Sequence, residues 1–149
     1  RYHPSKRNPW NEVECGDHYA RAMASHGVFL ALCGFEYHGP KQHVGMAPRL
    51  GSDDFRAAFT AAEGWGTLWQ QRDDGSQQSG FEVRWGKLPV KTVAVELPDG
   101  KIVESADVRL EGKSVTTEMS ADGSRVLFEC IEPITVEKGQ RLELDLRFA

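Results

Sequence analysis

Residues 11–23, NEVECGDHYARAM, contain side chains that can bind a polar ligand. Glu12 offers carboxylate oxygens that accept hydrogen bonds, and Arg21 offers a guanidinium fork that donates them. If the two groups converge, they can hold the hydroxyls of a sugar or another polyol. We therefore treat Glu12 and Arg21 as candidate substrate-binding residues.

The same cluster is also typical of an ordinary charged helix start. Asp17 and Arg21 are four positions apart, an order that gives a helical ion pair worth about 0.2–0.5 kcal/mol. Glu12 and Glu14 in a first turn suit the helix dipole. At about 100° per residue, Glu12 and Arg21 face opposite sides of one straight helix. They converge only if Glu12 precedes the regular helix, and the residues alone leave both interpretations open.

Aromatic side chains could provide flat surfaces for a sugar ring, although each can equally serve in a core or an interface. They are Trp10, Tyr37, Trp65 and Trp69.

Other chemistries have little support in the sequence. Glu12 and Glu14 lie on one short segment, whereas a glycosidase needs its two carboxylates on opposite sides of the scissile bond. The five histidines show no recognised metal spacing. We find no phosphate-binding loop, no nucleophile elbow and no Cys–His dyad signal. We therefore predict no metal site and no cofactor.

Length and composition limit the possible classes of protein. The 149 residues correspond to one ordinary domain or to two small pieces of larger ones. The net charge of -4 gives no basic patch, so we predict no nucleic-acid partner. The longest apolar run, 28–33, is far shorter than the roughly 20 residues of a membrane span. The chain does not begin with methionine, which suggests a portion of a longer protein and leaves its localisation unknown.

The first half of the chain reads as helical. Asn11 is a good N-cap for a helix from Glu12 to Gly34, and Gly34 is a candidate C-cap. Residues 35–51 are rich in Gly and Pro and predict a long ordered loop. Ser52 then caps a predicted second helix that runs to Gly64.

The second half reads as strands. From Trp65 onwards the apolar residues recur at every second position, and turn residues separate the runs. Residues 70–80 predict a polar hairpin loop or linker. The predicted inward-facing sets are Phe81, Val83 and Trp85; Val126, Phe128 and Cys130; and Leu142, Leu144, Leu146 and Phe148.

Residues 1–69 resemble one known family. The runs RNPWNEVECGDHYARAMASHGVFLALCGFEYHGP and APRL…DDFRAAFTAAEGWGTL are similar to the C-terminal end of the catalytic region of glycoside hydrolase family 116, the family of bile-acid β-glucosidase, the non-lysosomal glucosylceramidase. The resemblance implies an α+β fold: the last helices of an (α/α) six-hairpin toroid, followed by an antiparallel β-rich tail. Residues 1–69 would end the catalytic domain, and residues 70–149 would form the tail.

The resemblance also implies a function. Family members are retaining β-glucosidases whose nucleophilic Glu and acid/base Asp lie upstream of the matched segment, and nothing in residues 1–149 matches either. A Glu and an Arg nine positions apart hold the outer hydroxyls of glucose in this family, and Glu12 and Arg21 match them. The expected substrate is a β-glucoside or a glucosylceramide-like compound. The expected partner is the missing N-terminal part of the same protein.

A second interpretation comes from a different class of protein. The chain could be a complete, non-catalytic carbohydrate-binding or structural module in which the strands cover the helices. Its exposed helix faces should then be polar, whereas residues 20–35 are apolar almost all round.

Overall fold

The computed structural model describes residues 22–149. The chain divides into two compact units, and the boundary along the sequence lies between Leu32 and Cys33. Helix α1 spans Ala22–Cys33. Gly34 follows it with φ +55°, the left-handed conformation in which many helices end. The predicted helix from Glu12 to Gly34 is therefore confirmed over its described part, and its earlier part lies outside the described residues.

Residues 36–148 form a mixed ten-stranded sheet. The strands are β1 (Glu36–His38), β2 (His43–Met46), β3 (Asp54–Thr60), β4 (Gly64–Arg72), β5 (Ser76–Glu96), β6 (Val103–Leu110), β7 (Lys113–Ser114), β8 (Thr117–Asp122), β9 (Arg125–Glu137) and β10 (Arg141–Phe148). A short 3₁₀ helix, Gly39–Lys41, connects β1 and β2.

Strand β5 organises the sheet because it is 21 residues long and belongs to two layers. Its first half pairs antiparallel with β4 and β10, and β3, β6 and β7 extend this first layer. Its second half pairs antiparallel with β9 and parallel with β2, and β1 and β8 extend the second layer. Gly86, with φ +71°, lies between the two halves.

The two layers share one hydrophobic core. Phe81 and Leu144 of the first layer and Val93 and Phe128 of the second belong to the same cluster of buried side chains. Along β10, each apolar side chain from Leu142 onwards is buried at every second position. The inward-facing sets predicted for β9 and β10 are therefore confirmed.

The predicted toroid fold is wrong, because residues 36–148 form a ten-stranded sheet and the second of the two predicted helices is a strand. The predicted helix from Ser52 to Gly64 is strand β3, which pairs with β4 from Asp54 to Thr60. The Ala-rich composition and the Ser52 cap favoured a helix locally. Phe55 and Phe59 instead pack against the shared core, and this long-range burial overrides the local propensity. Within residues 22–149, α1 is the one α-helix.

The predicted loop 35–51 is also more ordered than its Gly and Pro content suggested, since it contains β1, the 3₁₀ helix and β2. Strand β4 continues across residues 69 and 70. The functional division into a catalytic part, 1–69, and a tail, 70–149, stays a prediction.

Candidate functional site

The two candidate substrate-binding residues, Glu12 and Arg21, lie outside the described residues, as does Trp10. The part of the chain that the structure describes carries a separate group of polar and aromatic side chains. They lie on the outer face of the first layer, which points away from the shared core.

Strand pairing brings these side chains together in two neighbouring rows. In the first row, Arg56 of β3 pairs with Trp69 of β4, and Trp69 pairs with Gly80 of β5. In the second row, Glu82 of β5 lies beside Arg141 of β10. A pocket of about 260 Å³ opens between the rows. It is lined by Asp54, Phe55, Arg56, Trp69, Gln71, Glu82, Arg141 and Glu143.

Glu82 is the buried polar group of this pocket, because only 8% of its side chain is exposed. Three guanidinium groups approach its carboxylate: Arg84 at 3.2 Å, Arg141 at 3.5 Å and Arg56 at 3.8 Å. Each of the three arginine side chains is about half exposed or more. The pocket therefore combines a buried hydrogen-bond acceptor, the Glu82 carboxylate, with hydrogen-bond donors on partly exposed arginine side chains.

Trp69 forms an aromatic wall of the same pocket. A Cβ built on Gly80 would lie 2.9 Å from Cε2 and Nε1 of Trp69, closer than real Cβ contacts allow. The glycine therefore lets the indole ring lie directly against the backbone of β5. An indole held in this way loses little conformational freedom when a ligand packs on it.

Two further tryptophans lie on the same outer face. Trp65 of β4 and Trp85 of β5 are direct cross-strand partners, and they are 50% and 58% exposed. The sequence placed Trp85 on the buried face with Phe81 and Val83, and this prediction is wrong. A β-bulge at Arg84 adds one residue to β5, which turns Trp85 outwards.

Tyr37, the remaining described aromatic candidate, has a structural role. Its ring packs against the shared core, and its hydroxyl accepts a hydrogen bond of 3.2 Å from the backbone N–H of Ala62. Both described cysteines, Cys33 and Cys130, are buried and unpaired, and burial raises the pKa of each thiol. Raised thiol pKa values disfavour the reactive thiolate.

Within residues 22–149, we find no cluster of three or more His, Cys, Asp or Glu side chains that could hold a metal ion. The same residues include no helix long and apolar enough to cross a membrane.

The sequence contained a partial signal for the outer-face pocket. The strand FEVRW indicated an outward Glu82, but nothing local showed that its carboxylate would be covered by arginines from β3 and β10. Arg56 and Arg141 are 85 positions apart in the chain, so only the strand order brings them together.

Several solved structures are similar to this chain, and an α-L-rhamnosidase is among them. No family model matches the chain, and no curated protein matches it. An α-L-rhamnosidase from Dictyoglumus thermophilum is similar with a TM-score of 0.43 and 13% sequence identity. The match covers 78% of this chain and 12% of the rhamnosidase chain, so this chain spans only a small part of that protein.

Proposed function

We propose that this chain is the C-terminal portion of a retaining β-glucosidase of the glucosylceramidase type. Glu12 and Arg21 hold the outer hydroxyls of the glucose unit. The observation that carries the proposal is the segment RNPWNEVECGDHYARAM, in which these two residues stand nine positions apart in the context of glycoside hydrolase family 116.

The chemistry of the pair suits this role. A carboxylate accepts hydrogen bonds from two neighbouring hydroxyls, and a guanidinium donates two parallel ones. Such contacts away from the scissile bond orient the sugar so that the reacting atoms meet correctly. The catalytic carboxylates belong to the upstream part of the protein. One attacks the anomeric carbon, and the other protonates the leaving oxygen. The 149 residues alone are therefore inactive.

The surface of α1 supports a longer protein. Val28 is 59% exposed, and Phe29 and Leu32 are each 38% exposed. Neighbouring exposed apolar side chains on one helix are typical of a surface that another segment covers. The upstream catalytic part is the segment that we propose for this role.

A second candidate is a stand-alone, non-catalytic carbohydrate-binding or structural module. The observation that favours it is the separate core of the unit from Cys33 to Ala149, whose buried side chains come from both layers of the sheet. A unit with its own core can act without a catalytic domain.

Substitution of Arg21 in the intact protein tests the first candidate. Arg21→Ala removes charge-assisted hydrogen bonds worth about 1.5–3 kcal/mol. We therefore expect kcat/KM for 4-nitrophenyl β-glucoside to fall about 10- to 100-fold, with an unchanged unfolding midpoint.

The matched control is Arg49→Ala. Arg49 is 60% exposed and forms a surface ion pair with Glu96 at 3.2 Å, so its loss should leave kcat/KM unchanged. If Arg21→Ala and Arg49→Ala have the same kinetics as the parent, the assignment of Arg21 to the glucose site is wrong.

A further inference from the structure

We propose that the outer face of the first layer is a separate, non-catalytic binding site for a neutral oligosaccharide. In this site Trp69 and Glu82 hold one sugar unit in the pocket, and Trp65 and Trp85 support the continuing chain. This inference goes beyond the glucose-binding role of Glu12 and Arg21 and does not depend on it.

The first argument is that the Glu82 carboxylate forms ion pairs but accepts no well-aligned hydrogen bond from residues 22–149. This carboxylate is more than nine-tenths buried, yet it lies at 3.2 to 3.8 Å from its three guanidinium neighbours. Each of these three arginines forms an ion pair with Glu82, but none donates a well-aligned hydrogen bond to its carboxylate. Buried polar atoms in folded proteins are normally satisfied. A sugar hydroxyl in the pocket would supply a hydrogen bond that these three ion pairs do not.

The second argument is the balance of charge around the pocket. Arg56, Arg84 and Arg141 lie close to Glu82, and the pocket wall also includes Asp54 and Glu143. Three positive groups and three negative groups leave little net attraction for a free anion or cation. They do offer both donors and acceptors, which is what a neutral polyol needs.

The third argument is the position of the aromatic rings. Trp69 lines the pocket, and the Trp65–Trp85 pair lies on the same face four residues along β4. At about 3.4 Å per residue, the two aromatic positions are about 14 Å apart. One sugar ring cannot contact both positions. A short, linear oligosaccharide can, because the hydrophobic faces of its successive units lie on flat aromatic surfaces.

The size of the pocket agrees with one sugar unit. Its volume of about 260 Å³ lies just below the range of roughly 300–1,000 Å³ that is typical of sites for drug-sized ligands. The remaining units must therefore lie outside the pocket, where the exposed Trp65 and Trp85 are available.

Isothermal titration calorimetry on the 149-residue chain tests this site. The probes are four neutral hexasaccharides (cellohexaose, laminarihexaose, mannohexaose and xylohexaose) and one anionic hexasaccharide from heparin. We expect saturable binding of at least one neutral probe and none of the heparin probe. Failure of all four neutral probes to bind, or binding of the heparin probe alone, would overturn the proposal.

Three variants locate the binding, each measured with the neutral probe that binds. Trp69→Ala should raise Kd about tenfold or more, because it removes the aromatic wall. Glu82→Gln keeps the shape of the side chain and should also weaken binding. Trp85→Ala changes an exposed residue and should weaken binding of the hexasaccharide more than that of the corresponding disaccharide.

Met119→Ala is the matched control, since Met119 is 50% exposed and lies on β8 of the second layer. Circular dichroism of each variant checks that it is folded. Unchanged Kd values in folded Trp69→Ala and Glu82→Gln would show that the pocket is not the site. The two proposals fail independently, because this site is tested by binding to the 149-residue chain and the glucose site is tested by hydrolysis with Arg21→Ala in the intact protein.

Discussion

The contacts of one carboxylate in the second layer predict that the stability of the protein depends on pH. Glu36 of β1 accepts hydrogen bonds of 2.7 and 2.5 Å from the two terminal nitrogens of Arg125 on β9. The Nε2 atom of His43 lies 3.4 Å from the same carboxylate. The hydrogen bond from Arg125 is the main reason that the pKa of Glu36 is below its ordinary value of 4.5, and burial opposes it.

The sign of this pKa shift predicts the pH range of the effect. A carboxylate with a lowered folded-state pKa stabilises the fold above its unfolded-state pKa, and this contribution is lost as the pH falls through the folded-state pKa. We expect the difference in unfolding free energy between the parent chain and Glu36→Gln to be constant near pH 7. The difference should shrink below about pH 4.5.

Urea unfolding at a series of pH values measures this difference. The contribution is modest because 44% of the Glu36 side chain is exposed and solvent screens the ion pair. Glu132→Gln on β9 controls for the loss of one carboxylate from the surface. A parent-to-Glu36→Gln difference that grows as the pH falls would contradict the assigned role of Arg125.

At the level of strands, Gly86 connects the half of β5 that pairs with β4 to the half that pairs with β9. Gly86 has φ +71°, and a Cβ there would lie 2.0 Å from the backbone oxygen of Glu63. An L side chain in this conformation costs about 1–3 kcal/mol, and the close backbone approach adds to that cost. We expect Gly86→Ala to lower the unfolding free energy by more than this conformational cost alone, as measured by urea unfolding.

Gly100→Ala separates the two contributions. Gly100 has a similar φ of +73°, but a Cβ there would have no atom within 4 Å. It should therefore show the cost of the backbone conformation only. If Gly86→Ala is no more destabilising than Gly100→Ala, then the close approach to Glu63 does not restrict this position of β5.

The strands also show what local sequence can predict. The runs in β9 and β10 were identified correctly, because every apolar side chain predicted to face inwards there is buried. Trp85 was assigned to the wrong face because one extra residue, Arg84, reverses the alternation. The polar segment 70–80 reads as a loop, yet Gln70 and Gln77 are fully buried and share a hydrogen bond of 3.1 Å. A buried hydrogen bond between two polar side chains can be predicted only when the pairing of their strands is known.

For the molecule as a whole, the predicted toroid fold is wrong and the predicted function stays a prediction. The assignment of Glu12 and Arg21 to glucose binding came from the family resemblance of one short segment, and it stays a prediction. The same resemblance led us to predict a toroid helix at residues 52–64, but the structure has strand β3 there. The pocket around Glu82 could be predicted only from the order of β3, β4, β5 and β10 in the sheet, and no local sequence pattern specifies that order.

The central claim is that the intact protein is a retaining β-glucosidase. The most direct measurement is proton NMR of its reaction with 4-nitrophenyl β-glucoside, following the anomeric signals of the first glucose released. A double displacement through a covalent intermediate retains configuration, so β-glucose should appear first and α-glucose only later through mutarotation. Initial release of α-glucose, or no hydrolysis by the intact protein, would contradict the claim.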